Sequence, residues 1–277
     1  MQRRAGDGHL MSFARASALT RVDDDTWRGE IPPGWDILDK ANGGFLLGIA
    51  ARSGVLASGR PDPVTITGHF LAPASIGPIT VESQILKAGR RFATVRSEIF
   101  SGEGRRLLAA LGSYGELAPS NAPERVAARP PDLPPVDECI RVEPSATFPP
   151  PFMGRVDLRL HPADVPTGTR GAGGRIQLRG WFRWRDSEPL DTVGLIVAAD
   201  AFPPTAFSAD LPVGWVPTLE LTTHVRERPV PDDWLRCSFT TRFISGGFIE
   251  EDGELWAESG RLIAQSRQLA LISRGGS

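Results

Sequence analysis

Cysteine is scarce in this sequence, and excess positive charge and long apolar runs are missing. The two cysteines, Cys139 and Cys237, lie far apart without metal-ligand spacing, so we expect free thiols, a reducing compartment and no metal site. The 31 Lys and Arg residues face 33 Asp and Glu, which argues against binding to nucleic acid or to an anionic membrane. No segment approaches the ~20 apolar residues of a membrane span. The N-terminus lacks the apolar core of a signal peptide, so we expect a cytoplasmic protein.

The sequence also lacks the serine motif of one large class of esterases. No Gly-x-Ser-x-Gly occurs, which argues against an α/β-hydrolase. Proline, by contrast, is abundant and is concentrated between Leu117 and Pro151. Because proline interrupts sheets and helices alike, this stretch reads as a semi-extended connector. It divides the chain into an N-terminal unit of residues 1–118, a linker of 119–152 and a C-terminal unit of 153–277.

The two units carry similar strand patterns. Alternating polar and apolar residues predict strands at 66–74 and 77–89, a strand pair turning at 101–104, strands at 218–229 and 234–244, and a final pair turning at 259–260. An offset of 155 carries Thr67 to Thr222 and His69 to His224, and other matches fall on the same strands. The chain therefore looks internally duplicated. The segment FIEEDGELW is expected to be a solvated hairpin turn around Asp252-Gly253.

Each unit has one helix candidate ahead of its main strands. Residues 42–58 have a broad apolar face, and Asn42 is suited to the N-cap. Residues 190–202 are apolar nearly all round, with Asp191 or Thr192 as cap and the single charge of Asp200 inside. Such a helix should be buried. A buried helix wrapped by a curved antiparallel sheet satisfies both patterns and predicts an α+β fold.

Six short motifs carry a resemblance to a known family. NGGFLLGIAARS, ITGHFLAPAS and GRRLLAALGSY in the first half precede AADAF, TLELTTHVRERP and GRLIAQSRQLAL in the second. In this order and spacing the chain resembles the acyl-CoA thioesterase II family. The resemblance implies a double hotdog, in which each of two repeats wraps a curved antiparallel sheet around a central helix. It further implies hydrolysis of an acyl-CoA, or a related acyl thioester, to the free acid without a cofactor. A homodimer or larger homo-oligomer is expected on the same ground.

The resemblance also implies which residues act. In the family, an Asp, a Thr or Ser, and a Gln from the second hotdog orient and activate a water that attacks the thioester carbonyl. Asp200 in AADAF and Gln268 in the last strand match two of these positions. Asp200 can accept a proton from water. Backbone N–H groups of the helix start at Asn42, Gly43 and Gly44 could bind the substrate and polarise its carbonyl.

The hydroxyl position leaves two choices. Strand parity puts Thr218, Glu220, Thr222 and His224 on one face and favours Thr218, with Thr222 as the second choice. Thr222 is also expected to bind substrate. A gapless match back from the end of the motif puts Leu219 there instead, and a β-bulge would reconcile the two alignments. Better-known members have a histidine where this chain has Leu221, so the resemblance leaves the substrate range open.

Two other functions fit the same fold. A hotdog hydratase or dehydratase acting on acyl thioesters would want an Asp–His pair across the site. His69 and His224 occupy equivalent positions in both halves, which favours a structural role for them. A protein that only binds acyl-CoA would not need all three polar residues. The sequence leaves open the acyl chain and whether CoA or a carrier protein bears it.

Overall fold

The computed structural model describes residues 11–117, 121, 123, 125–145, 148–165, 176–209 and 214–272. Its helices are α1 (Phe13–Ala16), α2 (Gly43–Ser58) and α3 (Gly194–Ala198). The strands of the first half are β1 (Thr20–Arg21), β2 (Thr26–Ile31), β3 (Asp36–Ile37), β4 (Lys40–Ala41), β5 (Asp62–Phe70), β6 (Gly77–Ala88), β7 (Phe92–Ser101) and β8 (Arg106–Gly115). The strands of the second half are β9 (Ile140–Arg141), β10 (Val156–Leu160), β11 (Ile176–Trp184), β12 (Thr218–Val225), β13 (Leu235–Thr241), β14 (Ile244–Ser245), β15 (Phe248–Ala257) and β16 (Leu262–Leu271).

One antiparallel sheet runs through both halves of the chain. Within the described residues its strands follow the order β1-β2-β6-β7-β8-β5-β12-β16-β15-β13-β11-β10-β9, and β14 pairs with β15. Outward from the central pair, one side reads β5-β8-β7-β6-β2 and the other reads β12-β16-β15-β13-β11. The two halves therefore place their strands in the same order relative to the centre.

The halves meet where β5 pairs with β12. Thr67 lies opposite Thr222, and the two hydroxyl oxygens are 2.8 Å apart. These are the threonines related by the offset of 155 residues. His69 lies opposite Glu220 and His224 lies opposite Thr65 in the same ladder. The sequence offset thus corresponds to direct neighbours at the centre of the sheet.

Helix α2 forms as its sequence predicts. Asn42 is the N-cap, and its Oδ1 accepts a hydrogen bond from the Phe45 N–H at 2.8 Å. Gly59 ends the helix in the left-handed conformation with φ 63°, which glycine adopts without strain. The helix is buried over most of its length and packs against β5, β6, β7, β8 and α3. We call the sheet face that carries the buried side chains the inner face.

The second helix is shorter than the sequence predicts. The apolar stretch 190–202 predicts one continuous helix, but α3 covers only Gly194–Ala198. Pro203 and Pro204 follow closely, and a residue before proline is disfavoured in the helical region. Ile196 and Val197 are also weak helix formers. Asp191 still contacts the first residue of α3, because its Oδ1 accepts a hydrogen bond from the Gly194 N–H at 2.6 Å.

The expected hairpin turn at Asp252-Gly253 is wrong. Both residues lie inside β15, which runs without interruption between β13 and β16. A Cβ on Gly253 would come within 2.2 Å of the Ser266 Oγ, so glycine here serves close packing within a strand. The turn that the sequence predicts at 259–260 is present, with the Gly260 N–H donating to Ala257.

Three of the strands were not predicted from the sequence. The patterns used above do not predict β2, β10 or β11. The described part of the linker, 125–145, holds a 3₁₀ turn at Val136–Glu138 and the two residues of β9, while residues 119–120, 122, 124 and 146–147 lie outside the described residues. Cys139 and Cys237 are free thiols and both are buried. No helix in the described part of the chain is long and apolar enough to cross a membrane.

Candidate active site

Asp200 lies just beyond α3, against the start of α2. Its Oδ2 accepts hydrogen bonds from the Gly44 N–H at 2.6 Å and from the Asn42 Nδ2 at 3.1 Å. The same amide nitrogen also donates to the Asp200 carbonyl oxygen at 3.2 Å. Burial raises the pKa of Asp200 to about 6, and the hydrogen bonds from Gly44 and Asn42 oppose this rise. The positive end of the α2 dipole also faces the carboxylate.

Glycine at position 44 allows the two halves to approach this closely. A Cβ there would lie 2.7 Å from the Asp200 Cβ and 3.1 Å from both the Ile196 carbonyl oxygen and the Val197 Cα. At Gly43 a Cβ would lie 3.0 Å from the Asp200 Oδ2 and 3.2 Å from the Phe70 ring. Any side chain at position 44 would therefore push α2 away from α3.

This contact corrects one expectation about the helix start. The sequence predicts that Asn42, Gly43 and Gly44 offer their donors to a substrate. In the structure the Gly44 N–H and the Asn42 amide are engaged by Asp200. The physical reason is that the N-terminus of a buried helix attracts a nearby anion, and the Asp200 carboxylate comes from the other half of the chain.

Gln268 and Thr218 form a second polar pair on the inner face. Gln268 is 9% exposed, and its Nε2 donates to the Thr218 Oγ1 at 2.6 Å. The register explains the pairing, because Thr218 lies opposite Ala270 and Leu221 lies opposite Gln268, with a bulge between Thr218 and Glu220. The bulge shifts the parity of β12, so Thr218 joins the inner face. The expectation that Thr218 shares a face with Glu220, Thr222 and His224 is wrong for this reason.

Thr222 is not brought to this pair. It lies opposite Arg267, whose side chain is exposed, on the face that we call the outer face. Its hydroxyl contacts Thr67 and donates to the Glu220 carboxylate. Thr222, expected to bind substrate, therefore lies on the opposite side of the sheet from Gln268.

One further polar residue of the inner face was missed in the sequence. Glu251 lies opposite Gln268 in the β15–β16 ladder, and its Oε2 accepts a hydrogen bond from the Thr205 N–H at 2.7 Å. Burial raises the pKa of Glu251 to about 7, and the charge of Asp200 adds to the rise. The available signal was the alternation in FIEEDGELW, which puts Glu251 on the same face as the buried Ile249 and Leu255.

The histidines of β5 and β12 lie on the outer face, away from Thr218 and Gln268. His69 and His224 are both exposed, and each lies in register with outer-face residues. Partial loss of solvent around the ring lowers the pKa of His224, and the charge of Arg226 lowers it further. An Asp–His pair across the inner face, as a dehydratase would need, is not formed by these two residues. Among the described residues, no group of three His, Cys, Asp or Glu side chains is arranged to hold a metal ion.

Comparison with known proteins places the chain in a family. The model of the acyl-CoA thioesterase N-terminal domain matches residues 31–115, and that of the acyl-CoA thioesterase C-terminal domain matches residues 124–272. The chain belongs to the acyl-CoA thioesterase family. The resemblance read from the six motifs is thereby confirmed. The C-terminal model covers Asp200, Thr218 and Gln268 of this acyl-CoA thioesterase family member.

Similar proteins support the same family and fold. A crystal structure from Thermobifida fusca YX, described as a candidate thioesterase II, is 34% identical with a TM-score of 0.85, covering 97% of this chain and 100% of that one. A hotdog-fold protein of unknown function from Alicyclobacillus acidocaldarius is 21% identical with a TM-score of 0.81, covering 95% and 98%. An uncharacterized protein of Mycobacterium tuberculosis is 29% identical, covering 94% of this chain and 98% of the relative. The α+β hotdog fold expected from the sequence is confirmed.

Proposed function

We propose that the protein is a thioesterase that hydrolyses acyl-CoA to the free acid and CoA, using a water activated by Asp200, Thr218 and Gln268. The observation that carries the proposal is the inner-face Thr218–Gln268 pair in a member of the acyl-CoA thioesterase family, with Asp200 close enough to act on Glu251, the residue opposite Gln268. Thr218 and Gln268 are joined by a hydrogen bond of 2.6 Å. Asp200 is fixed by two donors from the other half of the chain.

Asp200 is the proposed general base. The donors Gly44 and Asn42 both act on Oδ2, and among the described residues no donor is assigned to Oδ1. That second oxygen is therefore available to accept a proton from water. With its pKa raised to about 6, Asp200 is ionised at neutral pH and is a stronger base than an exposed aspartate.

Thr218 and Gln268 are proposed to fix the orientation of that water. Because the Gln268 Nε2 donates to the Thr218 Oγ1, the Thr218 hydroxyl proton remains available for the water oxygen. The Gln268 Oε1 can accept one of the water protons. With the Gly44 donor engaged by Asp200, Gly43 at the first position of α2 is our proposed backbone donor to the thioester carbonyl.

We extend the proposal to the architecture. The chain forms a double hotdog, with repeats in residues 1–118 and 153–277 and a linker at 119–152. Support comes from the equal strand order on both sides of β5–β12 and from the Thr67–Thr222 pair at the centre. A homodimer or larger homo-oligomer and a cytoplasmic location belong to the same proposal, the first from the family resemblance and the second from the composition.

The test is release of free thiol from a panel of short, medium, long and aromatic acyl-CoAs, followed with a thiol-reactive dye. Hydrolysis of one acyl class supports the proposal and names that class. The same substrates on an acyl carrier protein distinguish the two possible carriers. Consumption of a 2-enoyl-CoA without thiol release would instead support a hydratase. Binding of acyl-CoA with neither reaction would support a non-catalytic role.

A further inference from the structure

Glu251 occupies an inner-face position beside the proposed water-activating residues. It is directly opposite Gln268 in the antiparallel β15–β16 ladder. Side chains opposite each other in such a ladder have Cβ atoms roughly 4.5–5.5 Å apart. Its neighbours on the same face are Ile249, Gly253 and Leu255, all buried. Glu251 itself is half-buried, and its side chain projects from the same face as that of Gln268.

The groups around Glu251 do not stabilise a negative charge well. The Thr205 N–H donates to its Oε2 at 2.7 Å. The Thr205 hydroxyl also lowers the pKa of Glu251, but less than the N–H does. That hydroxyl is shared with Thr241, which lies 2.7 Å away and donates its own proton to the Glu250 carbonyl oxygen at 2.6 Å. The backbone and hydroxyl of the single residue Thr205 are therefore the main compensation for an ionised Glu251.

No cation in the described part of the chain is paired with that charge. Among the described residues, Glu251 takes part in no ion pair with Lys, Arg or His. Arg242, just after β13, and Arg267 of β16 are paired with Asp252 on the outer face. The charged groups that act on it are Asp200 and Glu250, and both oppose its ionisation. A desolvated carboxyl without a cation and near two carboxylates favours the neutral form.

We propose that Glu251 is a positioning residue of this site, a protonated carboxyl group that leaves Asp200 as the single negative charge beside the reacting water. The inference rests on the proposed thioesterase function. A neutral Glu251 can also donate its proton to a neighbouring acceptor, such as the Gln268 amide oxygen, and hold that amide in one orientation. Ionisation removes this donor and places a second negative charge where the thioester oxygen becomes negative.

The two carboxyl groups define a pH window for activity. The pKa of Asp200 is raised to about 6 and that of Glu251 to about 7, both mainly by burial. Between these values Asp200 is ionised while Glu251 keeps its proton, which is the active form. Because the two groups interact, the pH–rate profile reports the values of the pair.

The first test is the pH–rate profile of Glu251→Gln, in which a neutral amide replaces the protonated carboxyl. The wild type should lose activity above pH 7 by roughly tenfold per pH unit once Glu251 ionises. Glu251→Gln should keep the rise near pH 6 and lose the alkaline decline, so that it exceeds the wild type by roughly tenfold at pH 8. Glu254→Gln, which removes an outer-face carboxylate from the same strand, is the matched control and should keep the wild-type profile.

The second test does not depend on turnover. A carboxyl whose pKa is raised on folding, here from 4.5 to about 7, stabilises the fold below pH 4.5 and loses that contribution as pH rises through 7. The thermal midpoint of Glu251→Gln relative to the wild type should therefore increase from pH 5 to pH 8, while that of Glu254→Gln should not. A thermal difference that stays flat over this range would show that Glu251 is ionised in the folded protein and would overturn the inference.

The two tests separate this inference from the proposed function. If no acyl thioester is hydrolysed, the thioesterase proposal fails, and with it the role of Glu251 in positioning. If the wild type hydrolyses acyl-CoA and Glu251→Gln keeps the alkaline decline, only the Glu251 inference fails. A uniform loss of rate in Glu251→Gln at all pH values, with an unchanged profile, would indicate a purely structural residue and would also overturn it.

Discussion

Gly44→Ala should displace the Asp200 carboxylate while most of the protein stays folded. An alanine Cβ would lie 2.7 Å from the Asp200 Cβ and 3.1 Å from two backbone atoms of α3. Backbone atoms of a packed helix cannot yield cheaply, and such overpacking costs about 1–3 kcal/mol. Alanine gains up to about 1 kcal/mol over glycine as a helix former. The net loss of stability is therefore about 0–3 kcal/mol.

Activity should fall even where most of the protein stays folded. The added methyl group separates the Gly44 N–H from the Asp200 Oδ2, which are 2.6 Å apart. Misplacing a reacting group by about 1 Å costs roughly 10²-fold in rate. Loss of the Gly44 hydrogen bond, which lowers the pKa of Asp200, should also move the acid limb of the pH–rate profile to higher pH.

The assay is kcat for thiol release across pH 5–8, with circular dichroism and thermal melting on the same samples. Gly154→Ala is the control, because a Cβ there would meet only a Pro144 side-chain atom at an ordinary 3.7 Å. It should match the wild type in rate and in profile. A folded Gly44→Ala protein with wild-type kcat and an unmoved acid limb would refute the assignment of Gly44 as a support of Asp200.

Three further predictions follow. Thr218→Val and Gln268→Ala should each lower kcat by about 10²-fold. The kcat of the double variant should be little lower than that of either single variant, because the two residues share one hydrogen bond. A double-mutant cycle measures this coupling, and additive losses would contradict it. Asp62→Ala should lower the free energy of unfolding in urea by about 2–3 kcal/mol without changing kcat of the folded enzyme. The reason is that the buried Asp62 forms an ion pair with Arg228 of the other half. An unchanged urea midpoint would contradict this prediction. At pH values below about 6 the wild-type rate should decrease, because Asp200 becomes protonated. A rate that does not change between pH 7 and pH 5 would contradict this.

Much of the fold could be predicted because its signals are local. The N-cap at Asn42, the ending of α2 at Gly59 and the alternation of β16 each depend on residues close in sequence. The position of Gln268 on the inner face follows from the same alternation. The offset of 155 relates residues that face each other in the central strand pair, but the offset alone did not predict that these strands pair.

The remaining features depend on contacts that are distant in sequence. Asp200 meets Gly44 across 156 residues, and nothing local to either residue predicts that the helix N-terminus is used to hold a carboxylate. The bulge that moves Thr218 to the inner face is set by the β12–β16 register. Glu251 was missed because an Asp-Gly pair is a strong hairpin signal, which here yields to strand packing of Gly253.

The most direct test of the account is kcat for thiol release by Asp200→Asn, measured on the acyl-CoA that the wild type hydrolyses fastest. Asparagine keeps the size of the side chain and can still contact Gly44, but it cannot accept the proton of the attacking water. Asp137→Asn, an exposed position in the linker, provides the same chemical change away from the site. We predict a loss of at least about 10²-fold in Asp200→Asn and none in Asp137→Asn. Hydrolysis by folded Asp200→Asn at close to the wild-type rate would contradict the claim that Asp200 activates the water.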